Sequence, residues 1–245
     1  MSTNPCADQL LIALAPPRRI AAISHYSQEA DESSIPLDVA RRYRGIAGTA
    51  EEVIALKPDL VLASSFTPND TLAAYRRLGL KVLLLDSPTT IAASREQIRT
   101  VAAALGERVA GDALIARIDG AVAAAAPKGA ARPSALLFIS GNLASGGPTL
   151  LGEMLGRAGF GDSGRAFGLT QSTPLSVERL LAHPPQVILD PDPGSRTASL
   201  RREILGKAGY RVVEARFPRA LINCGGPTIA DAMTRLAAIR AKVVR

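Results

Sequence analysis

A short pattern that occurs once in each half of the chain limits the fold more than any other feature. Glu51-Glu52-Val53-Ile54-Ala55-Leu56-Lys57-Pro58-Asp59-Leu60-Val61-Leu62 reads as a helix with an acidic start, a proline stop and a buried strand. Glu178-Arg179-Leu180-Leu181-Ala182-His183-Pro184-Pro185-Gln186-Val187-Ile188-Leu189 reads the same way. An acidic first turn suits the helix dipole in any protein, so each copy alone has a purely local explanation. Matched copies, one per half, predict two similar lobes.

The rest of the chain agrees with that division. In the first half, residues 20–24, 60–64 and 82–86 read as strands, with helices predicted over 8–14, 50–56, 69–78 and 94–105. Short apolar runs alternating with amphipathic segments are the mark of a parallel α/β architecture. Residues 107–126 then lack proline and place Leu114, Ile118 and Val122 at helical spacing. A helix of that length spans about 30 Å. Gly and Pro between 127 and 133 end it. The second half returns to strands at 135–140, 187–190 and 211–214, with helices at 150–158, 175–182, 200–208 and 228–241. The expected organisation is an N-terminal α/β lobe over 1–106, a connecting helix over 107–126 and a C-terminal α/β lobe over 127–245.

Composition narrows the function. With 47% hydrophobic and 21% charged residues in 245, the chain is globular and can bury a sizeable core. Its formal charge of +7 would suit an anionic partner. The basic residues, however, cluster only as pairs (Arg18-Arg19, Arg41-Arg42, Arg76-Arg77, Arg201-Arg202), with no stripe interleaved with aromatics. Nucleic-acid binding is therefore not expected. No apolar run is long enough to cross a membrane. Met1 is followed at once by Ser2-Thr3-Asn4-Pro5, which is not a secretion signal and, read by itself, means a cytoplasmic protein.

Two further segments, Asn4-Pro5-Cys6-Ala7-Asp8-Gln9-Leu10 and Asn223-Cys224-Gly225-Gly226-Pro227, join the residue 51–63 motif, Leu78-Gly79-Leu80-Lys81-Val82 and the long helix in a recognisable order. Over nearly its whole length the chain resembles class III periplasmic binding proteins of ABC importers, which serve iron-siderophores, haem and cobalamin. The resemblance implies two Rossmann-like lobes joined by a single long backbone helix, a ligand cleft between them, little movement on binding, and no enzymatic activity. It also implies delivery of a small-molecule metal chelate to a membrane permease by a monomer. No resident cofactor is expected, because the ligand carries its own iron or cobalt. Members of the family begin with a secretion signal and a complete first strand, whereas this chain starts inside that strand. A late start site or a trimmed chain would account for this, and a periplasmic location is expected.

In parallel α/β lobes, ligands meet the loops at the carboxyl ends of strands. That rule nominates Cys6, His25, Tyr26, Ser64 and Phe66 in the first half, and Asn142, Asn223, Cys224 and Gly225 in the second. His25 would complete a metal's coordination or hydrogen-bond a chelate, or be a plain loop histidine. Tyr26 and Phe66 would offer flat faces to a corrin or catecholate ring, or anchor their loops on the core. His183 reads as a surface residue. Cys6 and Cys224, placed in opposite lobes, admit three readings: a disulfide across the cleft, soft ligands beside His25, or unrelated buried thiols. Gly-Gly-Pro-Thr occurs at 146–149 and at 225–228, where it would start a helix or receive an anion at the helix N-terminus.

In the family resembled, one acidic residue per lobe docks onto permease arginines. Glu51 and Glu178 match those positions, with Glu52 a substitute for the first. The competing reading of the whole chain is a cytoplasmic chelatase-like or corrinoid-modifying enzyme on the same scaffold, for which two histidines supply few general bases. A free-metal receptor ranks last, because His25 and His183 fall in different segments.

Overall fold

The structure, a computed structural model, describes residues 1–244. Its elements in chain order are α1 (Pro5–Leu14), β1 (Ile23–Ser24), α2 (Leu37–Ala40), β2 (Gly45–Ile46), α3 (Ala50–Leu56), β3 (Val61–Ser64), α4 (Asn69–Arg77), β4 (Val82–Leu85), α5 (Ile91–Leu105) and α6 (Arg108–Ala125). There follow β5 (Ser134–Ser140), β6 (Leu143–Ser145), α7 (Leu150–Arg157), β7 (Gly161–Asp162), α8 (Ser163–Ala166), β8 (Thr173–Pro174), α9 (Val177–Ala182), β9 (Val187–Asp190), α10 (Arg196–Lys207), β10 (Val213–Arg216) and α11 (Thr228–Val243). The chain divides into two compact units. The first comprises Met1–Pro88, Ala92–Ala116 and Asn223–Thr228; the second comprises Thr89–Ile91, Arg117–Ile222 and the chain from Ile229 on.

In the first unit, β1 pairs with β2 and β3 with β4, both in parallel. Residues 1–3 lie between the two pairs. Ser2 N donates to the Ala22 carbonyl at 3.2 Å, Leu62 N to the Met1 carbonyl at 3.0 Å, and Thr3 N to the Leu62 carbonyl at 3.0 Å. The result is one parallel layer in the order β2, β1, residues 1–3, β3, β4, whose carboxyl ends share an edge. Val61, Leu62 and Ala63 are all buried, because helices cover both faces of a parallel sheet. The core beneath gathers Ile46, Val53, Leu72 and Tyr75.

The second unit holds a six-stranded sheet ordered β10-β9-β5-β6-β8, with β7 also paired to β5. β10, β9, β5 and β7 run parallel, while β6 and β8 form an antiparallel margin. Its core packs Leu136, Phe138, Phe167, Leu180, Ile188 and Leu205.

Two expectations from the sequence need correction. Residues Asn223–Thr228, including Asn223, Cys224 and Gly225, belong with the first unit rather than the second. Three tethers hold them: the Cys6–Cys224 disulfide, a 2.7 Å bond from Gln9 Nε2 to the Gly225 carbonyl, and a 2.8 Å bond from Gly226 N to Ser94 Oγ. Helix α1 starts at Pro5 instead of residue 8, because Asn4 caps it and proline suits the first helical position.

Candidate functional site

The carboxyl edge of the first unit is built from the loops that follow β1, β2 and β3. The β1 loop rests on Asp8, a fully buried carboxylate of α1. Asp8 accepts hydrogen bonds from the Ser24 amide at 3.0 Å, from the Ser27 hydroxyl at 2.7 Å and from the Ser2 hydroxyl. Burial pushes its carboxyl up to about 6, against the lowering effect of those same bonds. The loop that begins at Ser24 is thereby pinned from below, and with it His25 and Tyr26.

His25 Nδ1 lies 3.1 Å from the Ile46 carbonyl. A carbonyl only accepts, so in the neutral ring Nδ1 carries the hydrogen and Nε2 presents its lone pair. Nε2 sits 3.9 Å from Glu29 Oε1, an ion pair only when the ring is protonated. The Tyr26 ring is 4.0 Å from that of His25, centroid to centroid, and is half exposed.

The β3 loop turns on Ser64, whose Oγ accepts from Phe66 N at 3.1 Å. The bond orders the turn and holds the Phe66 side chain outward, 80% exposed. Ser64 and Phe66 line a cavity of about 370 Å³ together with Thr3, Asn4, Gly48, Thr49, Thr67 and Thr71. Gly48 is fixed by two groups: its amide donates to Glu52 Oε2 at 3.0 Å, and its carbonyl accepts from Tyr75 Oη at 2.6 Å.

Cys6 and Cys224 are joined in a disulfide inside the first unit. This settles the three readings of the sequence against two thiolate ligands beside His25, because a disulfide has no thiolate to offer. Nor do the two cysteines belong to opposite units. Asn223 is exposed and donates from Nδ2 to the Glu32 carbonyl at 3.4 Å. Gly225 is buried, its carbonyl taken by Gln9 and Thr228. Among the described residues, no group of three or more His, Cys, Asp and Glu is arranged to hold a metal ion.

In the second unit, Asn142 stands exposed in the turn after β5, and its carbonyl accepts from Leu175 N at 2.9 Å. The preceding Gly141 carbonyl receives Arg201 Nη1 at 3.4 Å. Arg201 is 4% exposed, pairs with Asp190 Oδ2 at 2.5 Å and stacks 4.0 Å above the Phe138 ring. Glu214 Oε1 lies 3.9 Å away, and burial holds its carboxyl above the usual range. Sequence reading missed both Asp8 and this cluster. Buried charge is rare unless paired, but the partners lie far off in sequence and local pattern does not reveal them.

The glycines at 146–149 serve packing. A side chain on Gly147 would meet the Leu169 carbonyl at 2.0 Å, and its amide donates to Asp162 Oδ2 at 2.6 Å. Thr149 caps α7 through Gly152 N. Helix initiation, rather than an open anion seat, is the reading this geometry supports.

Glu51 and Glu178 occupy the same place in their respective helices, second after the N-caps Thr49 and Ser176, and both are exposed. The Glu178 carboxyl is held below its ordinary value by hydrogen bonds from its own amide and from Ser176. Glu52 is engaged differently from Glu51. Its carboxylate folds back in a capping box, accepting from Gly48 N and Thr49 N.

The chain thus comprises two α/β units, the first with its loops gathered at the carboxyl edge of a parallel sheet. Residues 1–215 match the profile of the family described as Periplasmic binding protein, and the chain belongs to that family. A cobalamin-binding protein of Halobacterium salinarum is 26% identical over 194 residues, covering 77% of this chain and 52% of its own length. The chain thus spans about half the length of the curated relatives it matches. The periplasmic heme-binding protein RhuT of Roseiflexus sp. RS-1 is similar in fold, with a TM-score of 0.79 at 23% identity over 100% of this chain and 98% of that one. The heme-binding protein BhuT, solved with two hemes, gives 0.77 at 26% identity with the same coverage.

Proposed function

We propose that the chain is the solute-binding component of an ABC importer, taking up a metal chelate of the corrinoid, iron-siderophore or haem type and handing it to a membrane permease. One observation carries the reading. The loops after β1, β2 and β3 meet at a single edge, where outward-facing Phe66 lines the 370 Å³ cavity and half-exposed Tyr26 sits on the β1 loop. Aromatic faces beside a polar concavity suit a flat or globular chelate larger than the cavity itself. The iron or cobalt arrives as part of the ligand, and the protein acts as a monomer.

The relatives' names favour the same class: cobalamin for one and heme for two others. The disulfide favours the periplasm, since such bonds persist in oxidising compartments. Exposed Glu51 and Glu178 are the groups proposed to meet permease arginines. The experiment is calorimetric titration with cyanocobalamin, haemin and ferric siderophores, followed by mass analysis of the recovered ligand. One-to-one binding with an unaltered ligand is expected. A chemically changed chelate would favour the corrinoid-modifying enzyme instead.

A further inference from the structure

The sheet of the second unit ends at β10, beyond which no strand lies among the described residues. Val213 N donates to the Gln186 carbonyl and Phe217 N to the Asp190 carbonyl, each at 2.9 Å. Alternate residues of a strand turn their backbone to opposite sides, so Val213, Ala215 and Phe217 face β9 while Glu214 and Arg216 face outward. The outward Arg216 carbonyl is taken by Arg235 of α11, 3.0 Å from Nε and 2.6 Å from Nη2. That clamp guards one end of the edge. The amide and carbonyl of Glu214 and the amide of Arg216 have no strand to pair with.

A groove flanks the edge on each side. One, of about 310 Å³, lies between β10 and α10, where Leu205, Tyr210 and Val212 give it apolar surface and Arg202, Arg211 and Glu214 its charge. The other, of about 260 Å³, lies between β10 and α11, with Ala238, Ile239 and Val243 as apolar surface and Arg216, Arg235 and Lys242 as charge. An added strand sends successive side chains to opposite faces, so its residues would enter the two grooves in turn. The charge is unbalanced. Glu214, the one carboxylate in either lining, pairs with Arg202 at 2.7 Å, and Glu203 of α10 pairs with Lys207 at 2.6 Å. Arg211, Arg216, Arg235 and Lys242 have no carboxylate within ion-pair distance among the described residues.

We infer that β10 is a docking edge for an extended, acidic segment of a partner protein, which adds a strand to the sheet, sets apolar side chains in both grooves and lays carboxylates against the four cations. A second copy of this chain would bring the same four cations against them, which opposes edge-to-edge pairing of two copies. The inference stands independently of the chelate-binding reading.

The test is fluorescence anisotropy on the whole protein with a labelled, end-blocked peptide, Glu-Asp-Val-Ile-Val-Asp-Glu. Two controls accompany it: one with lysines in place of the acids, and one N-methylated at its three central amides, which keeps every side chain but loses backbone donors. Saturable binding that weakens at least tenfold in each control is the expected result. Arg216→Pro, checked for an unchanged melting temperature, removes an outward donor that an edge strand can spare. It is expected to weaken the peptide at least tenfold, and Arg216→Ala, which removes the charge alone, to weaken it less. Lys242→Glu, which keeps every backbone donor, is expected to weaken it at least threefold. Equal binding of the N-methylated control would show a general anion-binding surface and overturn strand addition. Equal binding of the lysine control, or no saturable binding of the acidic peptide, would overturn the proposal outright. Self-association of the protein that Arg216→Pro abolishes, seen by sedimentation, would assign the edge to a second copy instead.

Discussion

Cys6 and Cys224 stand 218 positions apart and are joined by a disulfide within one compact unit, their Cα atoms 5.4 Å apart. The bond closes almost the whole chain into a loop and ties the segment before α11 to the first turn of α1. A cross-link over so long a loop acts mainly on the unfolded chain, restricting its entropy. Cys6→Ser with Cys224→Ser is expected to lower stability by about 2–4 kcal/mol. Urea denaturation with and without reductant checks this, and an unchanged midpoint would contradict it.

Asp8 makes a pH-dependent contribution of defined sign. Its folded-state value of about 6 lies above the ordinary 3.8, so the native state holds the proton more tightly than the unfolded chain does. The stability from this group is therefore fully present below about pH 4 and is lost as pH rises through about 6. Asp8→Asn removes an acceptor oxygen from a site with hydroxyl and amide donors and is expected to destabilise the protein. The advantage of the native residue should grow from about pH 7 to about pH 4.5 in paired thermal melts. A shrinking advantage would contradict the sign.

Arg201 pairs with buried Asp190, shares Glu214 with Arg202, which lies nearer to it at 2.7 Å, and supports the turn that carries Asn142. Arg201→Met leaves Asp190 without its buried partner, while Glu214 keeps Arg202, and is expected to cost about 3–5 kcal/mol. Asp190→Asn in the same background should recover part of that loss, because neighbours in one network are not additive. A fully additive double variant, measured by urea denaturation, would show that the cluster is not coupled.

Glu51 and Glu178 separate docking from binding. Glu51→Ala with Glu178→Ala is expected to reduce uptake into permease-containing vesicles at least tenfold while chelate affinity, measured by calorimetry, stays the same. Glu52→Ala should behave differently, weakening the α3 cap by about 1 kcal/mol with little effect on uptake. Reduced affinity in the Glu51/Glu178 variant would mean that the docking surface has been misplaced.

Much of this architecture was legible locally. The boundaries of α3 and β9 coincide with the sequence expectation, because acidic starts, prolines and continuous apolar runs mark them. The strands β6, β7 and β8 were not legible. At two or three residues each they carry no period, and pairing with β5 and β6 defines them. Among the candidate residues, Ser64 and Phe66, which line the cavity, were visible because they end or follow a strand with an obvious signal. Asp8 was not, since its three donors come from two other segments. Cys224 was assigned to the wrong unit because chain order suggests the second lobe, whereas a disulfide and two long-range hydrogen bonds hold it in the first.

Ligand is expected to meet the carboxyl edge of the first unit. Amide chemical-shift mapping during titration with cyanocobalamin tests it most directly. Saturable perturbations at Tyr26, Gly48, Thr49, Phe66 and Thr67 are predicted. Saturable binding that leaves all five unmoved, or an absence of any response, would contradict the account.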